Sequence, residues 1–323
     1  MAYSEQVLRR AKARLAQAKE DCRAESDARQ DELYRTYPRL REIDRELRQT
    51  VAGAVAAAFR KGEDPTAAIE ALRDKNLALQ QERDWILEAA DLDVTALEPT
   101  VVCPHCQGSG YIGAAMCECL QELCRQEQKK ELSSLLAGRE QFDQFRLDLY
   151  PTEIVPEFGV SPRDLMQNVF TRCRRYAREF RLNSPSLLFS GGPGLGKTFL
   201  SACIARTVAD SGFSVVYDTA GKLFSDFEAV KFGGDREDLT RKYLSCDLLI
   251  IDDLGTEMTT QFTQTVLYQV LNERLMNQLP TIVSTNLNDQ GLRQRYIPAI
   301  ASRLLGEYET LRFLGKDIRL LKR

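Results

Sequence analysis

Apolar positions in the first part of the chain recur every three or four residues. Leu8, Ala11, Leu15, Ala18 and Cys22 form one such row, and Leu33, Tyr37, Leu40, Ile43 and Leu47 continue it. That spacing gathers a stripe on one side of a helix and predicts helix from 3 to 60. Lys61-Gly62-Glu63 interrupts the pattern, and Asp64-Pro65 then offers an N-cap followed by proline at the first helical position, opening a second helix to about Asp91. Residues 1–100 thus read as an α-helical hairpin. Its mixed charges fit either a solvated face or a surface for a partner.

The texture changes twice more. Residues 101–137 hold a cysteine cluster and a charged helix. The stretch 138–160, with Tyr150-Pro151 and Val155-Pro156, has no period and reads as a linker. From Leu187 onward short β-branched runs alternate with amphipathic segments, the sign of strand–helix units and a parallel sheet. Strands are expected near 187–190, 214–218, 248–252, 281–285 and 310–314, within a domain spanning 161–323.

Composition narrows the class. A chain of 323 residues with 43% hydrophobic residues and a net charge of −3 can bury a core and has no global field for nucleic acid or membrane. The first residues lack an apolar signal core and no run suits a membrane helix, so a cytoplasmic protein without membrane contact is expected. Nine cysteines without a secretory signal favour a metal site or buried thiols over disulfides. A single histidine, His105, leaves little room for a histidine-based triad.

The strongest motif is Gly191-Gly192-Pro193-Gly194-Leu195-Gly196-Lys197-Thr198, which fits G-x4-G-K-[ST] between the apolar run Leu187-Leu188-Phe189 and the segment Phe199 to Ala205. A chance match has a probability on the order of 1% at ordinary glycine content, and the strand–loop–helix setting lowers it further. Glycines let successive N–H groups face the phosphates of ATP, Lys197 neutralises β/γ charge, and Thr198 is the expected Mg²⁺ ligand. Leu248-Leu249-Ile250-Ile251-Asp252-Asp253 follows about 55 residues later. Asp252 is expected to hold Mg²⁺ and Asp253 to polarise the attacking water, with Glu257 as an alternative. Asn286, at the end of Thr281 to Thr285, is expected to orient that water.

Cys103-x-x-Cys106 and Cys117-x-Cys119 supply four thiolates in a segment with little apolar content, which suits a structural Zn²⁺. The second pair is tight, so Cys124 or His105 stands as a replacement ligand. Arg172, Arg174, Arg175, Arg178 and Arg181 crowd the helix before the first strand, and Lys231-Phe232-Gly233-Gly234 lies between the second and third strands. Arginine beside aromatics suits single-stranded DNA, while a solvated face or a subunit contact is the competing reading.

Taken together, the phosphate loop, Ile251-Asp252-Asp253-Leu254-Gly255, Ser284-Thr285-Asn286-Leu287 and Ile300-Ala301-Ser302-Arg303-Leu304 resemble the AAA+ ATPases, and within them the DnaC/DnaI group of bacterial replicative-helicase loaders. The IstB transposition helpers are similar. The resemblance covers about residues 140 to 323. It implies that Phe142, Phe145 and Leu149-Tyr150-Pro151 flank the nucleotide base, and that Arg303 is an arginine finger serving a neighbouring subunit in an ATP-dependent oligomer. Some relatives carry a second phosphate-sensing arginine where this chain has Ala299; Arg312 and Arg319 are the substitutes. Only 37 residues follow Asn286, so no C-terminal lid is expected and the site should be open on one side, unlike a small-molecule kinase. The resemblance further implies a zinc-bearing N-terminal module that docks on the replicative helicase. The expected function is an ATP-hydrolysing helicase loader acting on single-stranded DNA. An IstB-like transposition helper and a nucleotide-gated adaptor with little turnover are the alternatives.

Overall fold

A computed structural model describes residues 3–58, 66–135, 140–233 and 237–321. The expected helix break at Lys61-Gly62-Glu63, the Asp64-Pro65 cap and Gly234 lie outside the described residues, and so does the side chain of Phe232. The chain divides into two units, one formed by Met1–Lys12 with Glu118–Arg323 and the other by Ala13–Cys117.

Helix predominates in the second unit. α1 (Glu5–Thr36) runs into it, followed by α2 (Pro38–Ala58) and α3 (Thr66–Ala89). The single helix predicted over 3–60 is in fact two. Pro38 opens α2, and a residue preceding proline is disfavoured in helical geometry, so Tyr37 falls out of the helix although the apolar stripe continues through it. The expected hairpin had one helix over 3–60 as its first arm; here α2 alone packs on α3, tied by Arg39 donating to both oxygens of Glu82 at 2.7 and 2.9 Å and by Asn76 donating to Thr50 at 3.2 Å. A two-residue ladder, β1 (Tyr111–Ile112) with β2 (Ala115–Met116), was not expected; strands this short carry no readable period.

The other unit holds α4 (Glu118–Leu135), α5 (Pro162–Arg178), β3 (Leu187–Ser190), α6 (Lys197–Asp210), β4 (Val215–Thr219), α7 (Ala220–Gly233), α8 (Glu237–Ser245), β5 (Leu248–Leu254), α9 (Gln261–Met276), β6 (Thr281–Thr285), α10 (Asp289–Arg295), α11 (Pro298–Gly306), β7 (Glu309–Arg312) and α12 (Ile318–Leu321). The five strands fall where the sequence put them, and all pair parallel in the order β4-β5-β6-β3-β7. Both faces are covered, which is why the strands read as unbroken apolar runs. Leu187 and Phe189 enter the core shared with α5 and α6, whereas Leu188 enters the one beneath α7, α9 and α11.

Two side chains close the rim of the sheet. Gln128 of α4 runs along the edge of β4, donating to the Phe213 carbonyl at 2.8 Å and accepting from the Val215 N–H at 2.9 Å. This satisfies groups that an edge strand otherwise leaves bare. Arg274 is wholly buried and donates to Thr281 Oγ1 and to the carbonyls of Tyr243, Cys246 and Pro280, fixing α9 to the loops that enter β5 and β6. The stretch expected as a linker is not a free connector. In its described part Phe145 stacks on Phe170 at 5.3 Å, and Tyr150 is buried with its hydroxyl on the Leu195 carbonyl at 2.8 Å.

Candidate functional site

In a parallel sheet ligands bind beyond the carboxyl ends of the strands, where neighbouring connections diverge. β3 is that strand here, because β6 and β7 flank it. The loop from Gly191 to Gly196 leaves it and enters α6 at Lys197. Gly194 and Gly196 have φ of 68° and 89°, a region open to glycine and strained for other residues. A Cβ on Gly196 would also lie 3.1 Å from the Phe145 ring and from the Tyr150 hydroxyl. The loop therefore needs glycine for its turn and for the aromatic wall against it.

A cleft of about 410 Å³ opens at this point, lined by Pro193 to Thr198, Asp253 and Asn286, by Phe145, Leu149 and Tyr150, and by Ile318 and Arg319. Lys197 is buried within it and donates to the carbonyls of Gly191 and Gly192 at 2.7 and 2.6 Å and to Asn286 Oδ1 at 2.8 Å. Burial brings its ammonium down to about 8 against the pull of Asp253 and Asp252, with Arg319 pushing it lower still.

The paired acids take different directions because β5 is irregular. Ile251 pairs with Val283 and Leu254 with Thr285, so Asp252 and Asp253 together face the single residue Ser284. This extra residue is a bulge, a device that re-aims side chains, and Asp253 adopts φ 55° within it. Ser284 holds both acids in place: its hydroxyl donates to Asp252 Oδ1 and accepts the Asp253 N–H at 3.0 Å. Tyr217 donates to Asp252 Oδ2 at 2.8 Å. Asp252 is buried and directed by these two hydroxyls, while Asp253 lines the cleft. Burial, and then the charge of Asp252, raise the Asp253 carboxyl above the usual range. The sequence alone does not single out Ser284 and Tyr217 as site residues. Their signal was a polar atom in a strand otherwise buried on both sides.

Other expected residues divide. Glu257 does not line the cleft; its buried carboxylate accepts from the Gly255 N–H at 2.8 Å and the Tyr296 hydroxyl at 2.5 Å, beside Arg295 at 3.9 Å. Arg312 pairs with Asp289 at 3.2 Å, away from the cleft that Arg319 lines. Arg303 also lies outside its own chain's cleft. Its guanidinium rests 4.5 Å above the Tyr268 ring and donates to Asn272 at 2.6 Å.

The ligand atoms of Cys103, Cys106, Cys117 and Cys119 all lie within 4.8 Å of one another. Tetrahedral zinc with Zn–S of about 2.3 Å sets sulfurs about 3.8 Å apart, and Cys103 and Cys117 stand at 3.8 Å. The Gly110 N–H donates to Cys106 Sγ at 3.3 Å, as a thiolate ligand requires. These four residues fit a zinc knuckle. Cys124 and His105 are outside the group, and burial pushes the Cys124 thiol up to about 11. Among the described residues no helix is long and apolar enough to cross a membrane.

Comparison with known proteins agrees with this geometry. The family model described as IstB-like ATP binding protein matches residues 175–320. The replicative helicase loader DnaC of Buchnera aphidicola (subspecies Schizaphis graminum) is 29% identical over 133 residues, 40% of this chain and 54% of that one. The replicative helicase loader DnaC of Escherichia coli K12 is 31% identical over 123 residues, 38% of this chain and 50% of that one. The chain thus spans about half the length of the curated relatives it matches. A crystal structure of the DnaC helicase loader superposes with a TM-score of 0.47 and 18% identity, over 54% of this chain and 97% of that one. Residues 175–320 thus match the IstB-like ATP binding protein family and are similar in sequence to about half of the DnaC helicase loaders.

Proposed function

We propose that this chain is an ATP-hydrolysing loader that holds the bacterial replicative helicase and helps deposit it on single-stranded DNA. The observation that carries the reading is the convergence of Lys197, Asp253 and Asn286 in one cleft, in a domain whose sequence resembles that of DnaC loaders. In this reading the loop from Gly191 to Thr198 receives the phosphates of ATP, and Lys197 exchanges the Gly191 and Gly192 carbonyls for the β- and γ-oxygens. The Thr198 hydroxyl in the cleft and, through water, the Asp252 carboxylate behind it would hold Mg²⁺, which when bound would neutralise phosphate charge. Asn286 orients a water, and Asp253 accepts its proton as the water attacks the γ-phosphorus; the products are ADP and phosphate. The raised Asp253 carboxyl favours that acceptance. Phe145, Leu149 and Tyr150 form the base wall, and Arg319 is the arginine in reach of the phosphates within one chain.

Arg303, lying off its own cleft, serves the cleft of a neighbouring copy. The helical region 1–100 grips the helicase, the zinc knuckle and helix of 101–137 brace it, and 161–323, with Phe145 and Tyr150 packed on it, is the motor. Arg174, Arg175, Arg178 and Arg181 are exposed and suit phosphate contact with DNA.

The test is a loading assay with the helicase from the same cell and circular single-stranded DNA. The loader reading expects ATP and wild-type protein to raise the helicase retained on the circle, and Asp253→Asn to bind helicase but to release it slowly. The IstB-like description of the domain favours one rival, a transposition helper; capture of a transposase in place of the helicase would establish it. An adaptor with little turnover would show no steady-state ATPase with or without DNA.

A further inference from the structure

The chain has a single tryptophan, Trp85, and it stands on the outside of α3, 68% exposed. The inner side of α3 is set by Leu79 and Leu87, both buried, and by the bonds of Asn76 and Glu82 to α2. At 3.6 residues per turn, Trp85 lies roughly 120° to 160° around the helix from those two leucines. Leu77, 50% exposed, occupies the same outer side two turns earlier, with exposed Ala78 and Gln81 between them. An indole buries 150–250 Å² when covered, so the hairpin leaves its largest apolar side chain facing water although the hairpin itself gains nothing from it there. Exposed apolar ground of this kind marks a contact surface, and tryptophan is among the residues most enriched at the energetic centres of interfaces.

The charges beside the indole narrow the occupant. Glu70 and Glu88 are exposed on the outer side, and Asp74 shares it, paired only with its neighbour Arg73 at 2.9 Å among the ion pairs of the described residues. The basic residues of α3 are otherwise engaged: Lys75 reaches Glu46 of α2 at 3.5 Å and Arg83 binds Asp84 at 2.9 Å. An acidic rim repels the phosphates of nucleic acids and of anionic lipid. It suits a protein surface with an apolar notch edged by lysine or arginine.

We infer that the outer face of α3, built on Trp85 and Leu77 and edged by Glu70, Asp74 and Glu88, is where this chain grips its helicase, by seating the indole in an apolar notch rimmed with basic residues. The inference rests on the loader reading above.

Its test is the affinity of the full-length chain for the purified replicative helicase of the same cell. Trp85→Ala should weaken binding at least about 30-fold, the scale of a central interface residue, and Trp85→Phe should recover part of the loss. Glu70→Lys with Glu88→Lys should weaken binding about 10-fold at low salt and flatten its salt dependence. Nucleotide affinity should be unchanged in all three. Wild type that binds the helicase while Trp85→Ala binds within twofold of it overturns the inference and leaves the loader reading standing. Absence of any helicase binding by wild type overturns both. A variant that keeps its helicase affinity but dissociates a wild-type dimer assigns the face to a second copy, and that too overturns the inference.

Discussion

The sheet domain and the helical hairpin place their candidate residues in opposite ways. In the sheet domain Leu187 to Ser190 and Leu248 to Asp252 are buried throughout, and the polar groups that matter stand at the ends of those strands, held by Ser284, Tyr217 and the glycine turn. Among its described side chains the hairpin buries Leu40, Ile43, Leu79 and Leu87, and it carries surface pairs such as Arg39 with Glu42, Glu46 and Glu82. Exposed pairs add little to stability, because solvent screens them and each must immobilise two long side chains. On the proposed reading the chemistry rests on buried residues and the recognition on exposed ones. A substitution in the first region should be felt as lost stability or lost nucleotide, and one in the second as a lost partner.

The largest effect expected on this contrast is at Lys197. Lys197→Ala removes a buried cation from between backbone dipoles and phosphates, and truncating one partner of a buried charged contact costs about 2–5 kcal/mol. Nucleotide affinity should fall by at least about 30-fold in a calorimetric titration, with helicase affinity without nucleotide unchanged. Next is Arg274→Ala, which leaves four buried acceptors without their donor and opens a void; the sheet domain should lose about 3 kcal/mol in denaturant unfolding, while the helical signal of the hairpin persists to higher denaturant.

A third effect separates the regions by pH. Lys197 in the free protein is depressed to about 8 from 10.5, and bound phosphates should keep it protonated well above that. Affinity for nucleotide should therefore be flat below about pH 8 and fall above it by up to tenfold per unit, because binding then takes up a proton. Through the same group the free protein's stability should rise from pH 8 to 10.5, where the unfolded chain binds more protons than the folded one. Lys197→Arg should flatten the affinity profile. The smallest effect is a deliberate near-zero. Cys103→Ser with Cys106→Ser should lose about one zinc per chain by metal analysis and weaken helicase binding, yet shift nucleotide affinity less than twofold.

How much of this was legible follows the same contrast. The five strands and the phosphate loop were readable because doubly covered strands must be apolar and because the phosphate turn demands glycine. The opposed directions of Asp252 and Asp253 were not, since the bulge exists only in the register of β5 against β6. Tyr217 lay on an expected strand, but its hold on Asp252 depends on which strand is neighbour to which. Glu257 looked available in the sequence and is closed off by Tyr296 and Arg295, which come from α10 and the residue following it. Between Arg312 and Arg319 only the three-dimensional path of the chain after β7 decides. In the hairpin Pro38 was a visible stop that the continuing apolar stripe masked. The four cysteines were legible by spacing, and the exclusion of Cys124 required the three-dimensional distances within the cluster.

The central claim is that the cleft is one half of a catalytic site, completed by Arg303 of another copy. Arg303→Ala should keep nucleotide affinity and lose turnover by about 10³ to 10⁵, and Lys197→Ala should lose turnover through lost binding. The decisive measurement is steady-state ATPase of the two variants mixed, at concentrations where wild type assembles. Some interfaces then join an intact phosphate loop to an intact finger, so activity should return above the sum of the separate variants and rise with protein concentration; a mixture that never exceeds that sum would contradict the claim.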